Sequence, residues 1–367
     1  MITRVTSSSV NETLMNRISS SYANYSKLTE QISSGKRVNS IMDDAIESVN
    51  IIDSKRELGR IDLWKANIGV LNNEIKQSSE TIDLSMEKGQ RAKDLAATAA
   101  NGTSTLPTLN ATMAELNQLI ETMVDSANTN YNGNYIYGGT NTKTPPYEIV
   151  YEIDSAGNPT KEIAGIKYTG TPKSGDWERE LETADGVYER LNVTGDEAFG
   201  QYDYEPIYEA DGVTPVLDAD GNPTYALNSE SGIFSDLMNF KNSLQDTIDA
   251  LEDQKALPPD ASKADKEAAS AAVKAGYDSI HGTLDGFDSS LEEMTTVNAS
   301  FGTTMSKLEM STKTLTDSTL NLKEYVSGIE DLDLTKAVSE WYSAQQAYQA
   351  SMQATTSSMS MSLLNYM

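Results

Sequence analysis

DLDLTKAVSEWYSAQQAYQASMQATTSSMSMSLLNYM, residues 331–367, is built as half of something. Starting at Leu334, steps of four and three land on Val338, Trp341, Gln345, Tyr348, Met352, Thr355 and Met359, with Leu363 and Tyr366 just beyond. That spacing lays one seam along a helix and calls for a partner helix to cover it. Asp331 or Asp333 can cap the start, and no Gly or Pro follows to stop the helix. A lone helix of this length is marginal in water, so the seam needs a partner.

A matching segment lies at the other end of the chain. From Leu14 the same steps give Ile18, Ser21, Tyr25, Leu28 and Ile32, followed by a break at Ser33-Ser34-Gly35. Residues 1–40 hold five basic and two acidic residues, and 331–367 hold one basic and three acidic. Opposite charge favours the pairing slightly, with salt screening it. The termini are therefore expected to be a pair of helices or pieces of one multi-chain coiled assembly; an antiparallel pair inside a monomeric bundle is the simpler alternative.

Between the termini the chain goes out and comes back. Ser40 with Asp43 reads as a capping box opening a very long helix, on which Ile61, Trp64, Ile68, Leu71, Ile75, Ile82, Ala92, Ala96 and Ala99 share one heptad register. The adjacent pair Asp43-Asp44 points in directions about 100° apart on a helix, which suits capping and not catalysis. After the Asn101-Gly102 turn comes a shorter helix with Leu109, Met113, Leu116, Ile120, Met123 and Ala127, then a short strand and turn at 135–139.

From about residue 141 to 232 helical periodicity disappears. Seven of the ten prolines lie here, and short Tyr/Val/Ile runs alternate with turn signals, GNPT occurring twice. That pattern predicts a small all-β insert of hairpins. With 19 acidic and 6 basic residues it carries −13 of the net −27, which suits an outward-facing domain. Asp218-x-Asp220-x-Asn222 resembles the opening of a calcium loop, but Pro223 and Ser229 stand where Gly and Glu are needed, so a plain hairpin turn fits better.

Helix returns with Ile233, Leu237, Phe240, Leu244, Ile248 and Leu251. An Ala/Lys-rich surface excursion follows Pro258-Pro259. The longest heptad run then takes Leu284, Phe287, Leu291, Met294, Asn298, Phe301, Met305, Leu308, Thr312, Leu315, Thr319, Leu322 and Val326, closed by Ser327-Gly328. At 1.5 Å per residue it spans roughly 65 Å, so the fold class is mainly α: a long helical rod or bundle with coiled-coil-like terminal helices and an inserted all-β domain. Three layers are expected: 1–40 with 331–367 as a terminal domain, 41–140 with 233–330 as the rod, and 141–232 as the outer insert.

Bulk composition removes several functions. The chain has no cysteine and one histidine, His281, so thiolate chemistry, Cys-based zinc sites and most His-dependent catalysis are excluded. A net charge of −27 opposes nucleic-acid binding. No apolar run is long enough to cross a membrane, and MITRVTSSSVNETL has no apolar signal core. No enzyme, cofactor or metal site is expected.

Ile32-Ser33-Ser34-Gly35-Lys36-Arg37-Val38-Asn39-Ser40 with Asp43-Asp44-Ala45 resembles the amino-terminal signature of the bacterial flagellin superfamily, and Leu95-Ala96 with Ala99-Ala100-Asn101-Gly102-Thr103 resembles another part of it. Ala127 to Thr140 (ANTNYNGNYIYGGT) and the ending Ser362-Leu363-Leu364-Asn365-Tyr366-Met367 are more similar to the hook–filament junction branch than to filament flagellins. The resemblance covers most of 1–140 and 233–367, and the excursion at 256–278 departs from it. It implies an extracellular structural subunit of the flagellum, exported unfolded through the type III pathway without a cleavable signal. Its partners would be a ring of its own copies, a neighbouring hook-associated protein, flagellin, and an export chaperone at the carboxyl-terminal region. The residues expected to form the assembly interface are Leu14, Ile18, Tyr25, Leu28 and Ile32 on one side, and Leu334, Val338, Trp341, Tyr348, Met352, Met359 and Leu363 on the other. A flagellin filament subunit and a secreted adhesin with a coiled stalk and β head are the alternatives.

Overall fold

A computed structural model describes residues 7–154, 157–175, 177–208, 215–218 and 223–364. Helices dominate: α1 (Ser7–Ser34), α2 (Ala45–Ala99), α3 (Leu106–Ala127), the single turn α4 (Gly195–Ala198), α5 (Gly232–Ala256), α6 (Lys263–Gly282), α7 (Leu284–Glu330) and α8 (Leu334–Leu364). The strands are β1 (Asn130–Tyr131), β2 (Asn134–Tyr135), β3 (Tyr147–Ile153), β4 (Pro159–Tyr168), β5 (Glu180–Ala184), β6 (Val187–Arg190), β7 (Gln201–Pro206) and β8 (Tyr225–Ser231). The chain divides into two compact units, 1–63 with 313–367 and 64–312; α2 and α7 contribute to both.

In the larger unit, the heptad positions predicted on α2, α3, α5 and α7 supply the core. Leu71, Ile82, Leu116, Ile120, Phe240 and Phe287 are fully enclosed. Ser85, on the α2 seam, is also enclosed and donates its hydroxyl to Thr81 O, which satisfies it within its own helix. The Ala/Lys-rich excursion is a regular helix. Ser262 and Asp265 form a capping box at its start, and Gly276, Tyr277 and Ile280 pack its far end down. Gly276 is needed there, because a Cβ would meet Thr247 Oγ1 at 2.5 Å.

Among the described residues the insert is all-β apart from α4. Four antiparallel strands run in the order β3-β4-β7-β8, and β5–β6 forms a separate hairpin between β4 and β7 in the chain. Rings of Tyr137, Tyr147, Tyr168, Phe199 and Phe234 cluster at its base. Tyr137 O–H donates to Ser78 O on α2 at 2.8 Å, and Tyr168 O–H to Tyr137 O at 2.8 Å. The β5–β6 hairpin is held to α2 by Arg179 on the buried Glu74 at 3.0 Å and by Asn67 Nδ2 on Glu182 O at 2.8 Å. Desolvation pushes the Glu74 carboxyl up despite the Arg179 charge.

Two boundaries differ from the sequence expectation. Asp43 accepts Ser40 N–H at 3.1 Å, but α2 begins at Ala45, where Asp44 Oδ1 accepts Glu47 N–H. Ser327-Gly328 does not end α7, which continues to Glu330; a Cβ at Gly328 would meet nothing. The calcium-like turn, at 219–222, lies outside the described residues.

Candidate assembly interface

The smaller unit holds the terminal pair, in which α1 and α8 run antiparallel. Thr29 faces Trp341, Tyr22 faces Tyr348, and Ser21 faces Ser351, the numbers rising on one helix as they fall on the other. Aromatic rings form its centre. Tyr25 lies 5.6 Å from Trp341 and stacks nearly parallel to Tyr348 at 6.2 Å, while Tyr22 meets Tyr348 at 5.5 Å. Trp341 Nε1–H donates to Thr29 Oγ1 at 2.8 Å, which fixes the register of the pair. Such ring pairs add about 0.5–1.5 kcal/mol each beyond area burial.

On α1 the seam is the predicted one: Leu14, Ile18, Tyr25 and Ile32 are half-buried and Leu28 is buried. On α8 it is turned by one residue along half its length. Trp341, Tyr348 and Thr355 face α1 as expected, with Gln345 half-buried, but Ala337 and Ala344 are buried and Ser351 half-buried beside them, where Val338 and Met352 are exposed. Small residues let the broad rings of α1 lie close to the α8 backbone. Leu334, Val338 and Met352 are consequently exposed on the outer side of the pair. The side chains of Met359 and Leu363 lie outside the described residues.

Sequence reasoning missed the joint that carries this pair. Gly35, with φ +72°, ends α1 in the left-handed conformation that favours glycine. Its carbonyl accepts Leu332 N–H at 3.0 Å, and Arg37 N–H donates to Glu330 O at 2.7 Å, so the two connections pair like a fragment of sheet. The Glu330 carboxylate takes Lys36 Nζ and Lys55 Nζ, each at 2.7 Å. Burial pushes that carboxyl up, but the two lysines outweigh it and hold it below the usual carboxylate value. Behind the ion triad, Val38, Ile51 and Val326 are buried with Ile329 against them. Asp333, not Asp331, caps α8, accepting Lys336 N–H at 3.1 Å.

Among the described residues no cluster of His, Cys, Asp or Glu could hold a metal ion, and no helix is long and apolar enough to cross a membrane. His281 is exposed in the last turn of α6.

Known proteins match along the same lines. Residues 5–142 match the bacterial flagellin N-terminal helical region and 284–367 the bacterial flagellin C-terminal helical region. The flagellar hook-associated protein 3 of Escherichia coli is 25% identical over 350 residues, 95% of each chain. That of Salmonella typhimurium is 24% identical over 98% of each. The crystal structure of hook-associated protein 3 from Legionella pneumophila shares the fold with a TM-score of 0.51 at 16% identity, covering 75% of this chain and 98% of that one. With both defining helical regions at its ends and an insert between them, the chain belongs to the bacterial flagellin family, structural components of the flagellum.

Proposed function

We propose that this chain is the structural subunit that forms the junction between flagellar hook and filament, through coupled folding and assembly of its terminal helices. The observation that carries this reading is the thin terminal pair. It buries a single aromatic-and-alanine seam and leaves Leu334, Val338 and Met352 uncovered. A two-helix pair is a weak fold by itself and gains its remaining burial from neighbours. Ordering that happens at incorporation restrains premature polymerisation. Residues 1–40 with 331–367 would form the axial layer, 41–140 with 233–330 the helical body, and 141–232 the outward-facing part. The assembly residues would be Leu14, Ile18, Tyr25, Leu28 and Ile32 with Leu334, Val338, Trp341, Tyr348, Met352, Met359 and Leu363. The partners would be a ring of copies, a neighbouring hook-associated protein, flagellin and, at the carboxyl-terminal region, an export chaperone. Export to the cell exterior would need no cleavable signal.

The flagellin regions at both ends would suit a filament subunit equally; the likeness to hook-associated proteins 3 over nearly the whole chain favours the junction. The test is deletion of the gene in the source bacterium, with complementation by wild type or Trp341→Ala. Deletion is expected to leave hooks without filaments and flagellin in the medium. Trp341→Ala is expected to be exported, to keep most of its helical circular dichroism, and to fail to restore filaments. Normal filaments in the deletion strain would overturn the reading.

A further inference from the structure

The turn before α2 and the first turns of that helix carry a second uncovered apolar surface. Met42 is 98% and Ile46 77% exposed, and Ile41, Val49 and Ile52 are exposed beside them. This band opens onto a surface cavity of about 340 Å³ lined by the aliphatic Val38, Ile41, Ile51 and Ile52, by the polar Asn39, Ser40 and Ser48, and by the Lys36–Glu330–Lys55 triad. Around the band the acids Asp43, Asp44, Glu47, Asp53 and Glu330 are balanced by Lys27, Lys36, Arg37, Lys55 and Arg56, with Asp43 on Lys27 and Asp53 on Arg56 each at 3.1 Å and, among the described residues, Glu47 outside any ion pair, so the surface is close to electroneutral.

A cavity lined partly by aliphatic and partly by hydrogen-bonding and ionic groups fits an aromatic side chain with a polar tip, the kind of anchor that dominates interfaces. The same unit offers one. On the outer side of α8, Leu334, Val338 and Tyr342 follow one another at steps of four, hence on one face, and Tyr342 is 56% exposed with its ring edge-on to Trp341. We propose that the Leu334–Val338–Tyr342 face of one copy docks on the Ile41–Ile52 band of the next, with Tyr342 seated in the cavity beside Glu330. Because the two surfaces differ, the contact is head-to-tail, the type that generates closed rings or helical assemblies. Each copy then covers one apolar face of its neighbour and has its own covered in turn. The inference rests on the self-assembling junction reading above and adds which faces meet.

The chain has no cysteine, so introduced thiols report one contact at a time. Val49→Cys and Val338→Cys forms would be co-expressed in the source bacterium lacking the natural gene. Isolated flagella would then be treated with a short bismaleimide. A cross-linked dimer of this chain is expected in mixed flagella and in neither single-variant preparation. Adding Tyr342→Ala to the Val338→Cys form is expected to cut the dimer at least several-fold, with helical circular dichroism of the purified chain unchanged. Incorporation of both forms without the mixed dimer overturns the inference and leaves the junction reading standing. Dimers in either single-variant preparation mean like faces meet, which also overturns it. Absence of the wild-type chain from flagella overturns both.

Discussion

Asp236, at the start of the second turn of α5, is a carboxyl placed where a carboxylate is poorly solvated. Ser290 Oγ donates to it, and a Cβ on Gly286 would meet its Oδ1 at 2.2 Å. Burial raises its pKa to about 6, the Ser290 bond opposes that, and the charges of Glu293 and Glu230 add to it. A raised acid pKa favours the fold most fully below the unfolded value and loses that contribution as pH rises through about 6. At pH 7 the ionised group is therefore a net cost. Asp236→Asn is expected to stabilise the chain by about 1 kcal/mol at pH 7, a figure discounted for partial solvent screening. The gain should shrink toward zero near pH 4. Denaturant midpoints at both pH values check this; an equal or larger gain at pH 4 would refute the assignment of the shift to this residue.

At the scale of elements, periodicity revealed what large side chains advertise. On α7 every predicted seam position from Leu284 to Val326 is buried or half-buried, and on α1 the whole register holds. On α8 it could not, because two stripes compete: one with Val338 and Met352, the other with Ala337, Ala344 and Ser351. Counting large apolar residues selects the first, whereas broad rings on the partner helix select the second, where only small side chains fit. The Ser40 box misled for a related reason: Asp43 and Asp44 are both good caps, and tertiary pairing of Asp43 with Lys27 at 3.1 Å settles which does what. The ion triad at the joint joins residues 36, 55 and 330, a separation no local pattern exposes, and the order β3-β4-β7-β8 skips a whole hairpin. The observed register makes opposite demands at two neighbouring faces of α8. Ala344→Leu should overpack the pair and cost about 1–3 kcal/mol, seen as weaker α1–α8 protection and as changed Trp341 fluorescence in the isolated chain. Val338→Leu should leave the isolated chain within about 0.5 kcal/mol. The reverse ranking would put Val338, not Ala344, on the covered side.

At the scale of the molecule, the two units differ in what they bury for themselves. The unit of residues 64–312 encloses a continuous set of large side chains, among them Phe199, Phe234, Phe240 and Phe287. The terminal pair encloses Leu28, Gln31, Ala337, Ala344 and Thr355, a thin seam for two helices of 28 and 31 residues. Local opening free energy follows the apolar surface a segment buries, so backbone amide exchange should separate them in the free chain. Amides of 12–34 and 334–357 are expected to exchange at least about a hundredfold faster than those of 64–99 and 284–312, which corresponds to an opening difference of at least about 2.7 kcal/mol. Incorporation into flagella should erase most of that difference, because neighbours then cover the outer side of α8. A free chain whose termini are as protected as residues 64–99 would mean that the pair is already complete within one copy. The exposed Leu334, Val338 and Tyr342 would then have no ordering step to drive, and coupled folding would have to be abandoned for rigid docking of a preformed surface.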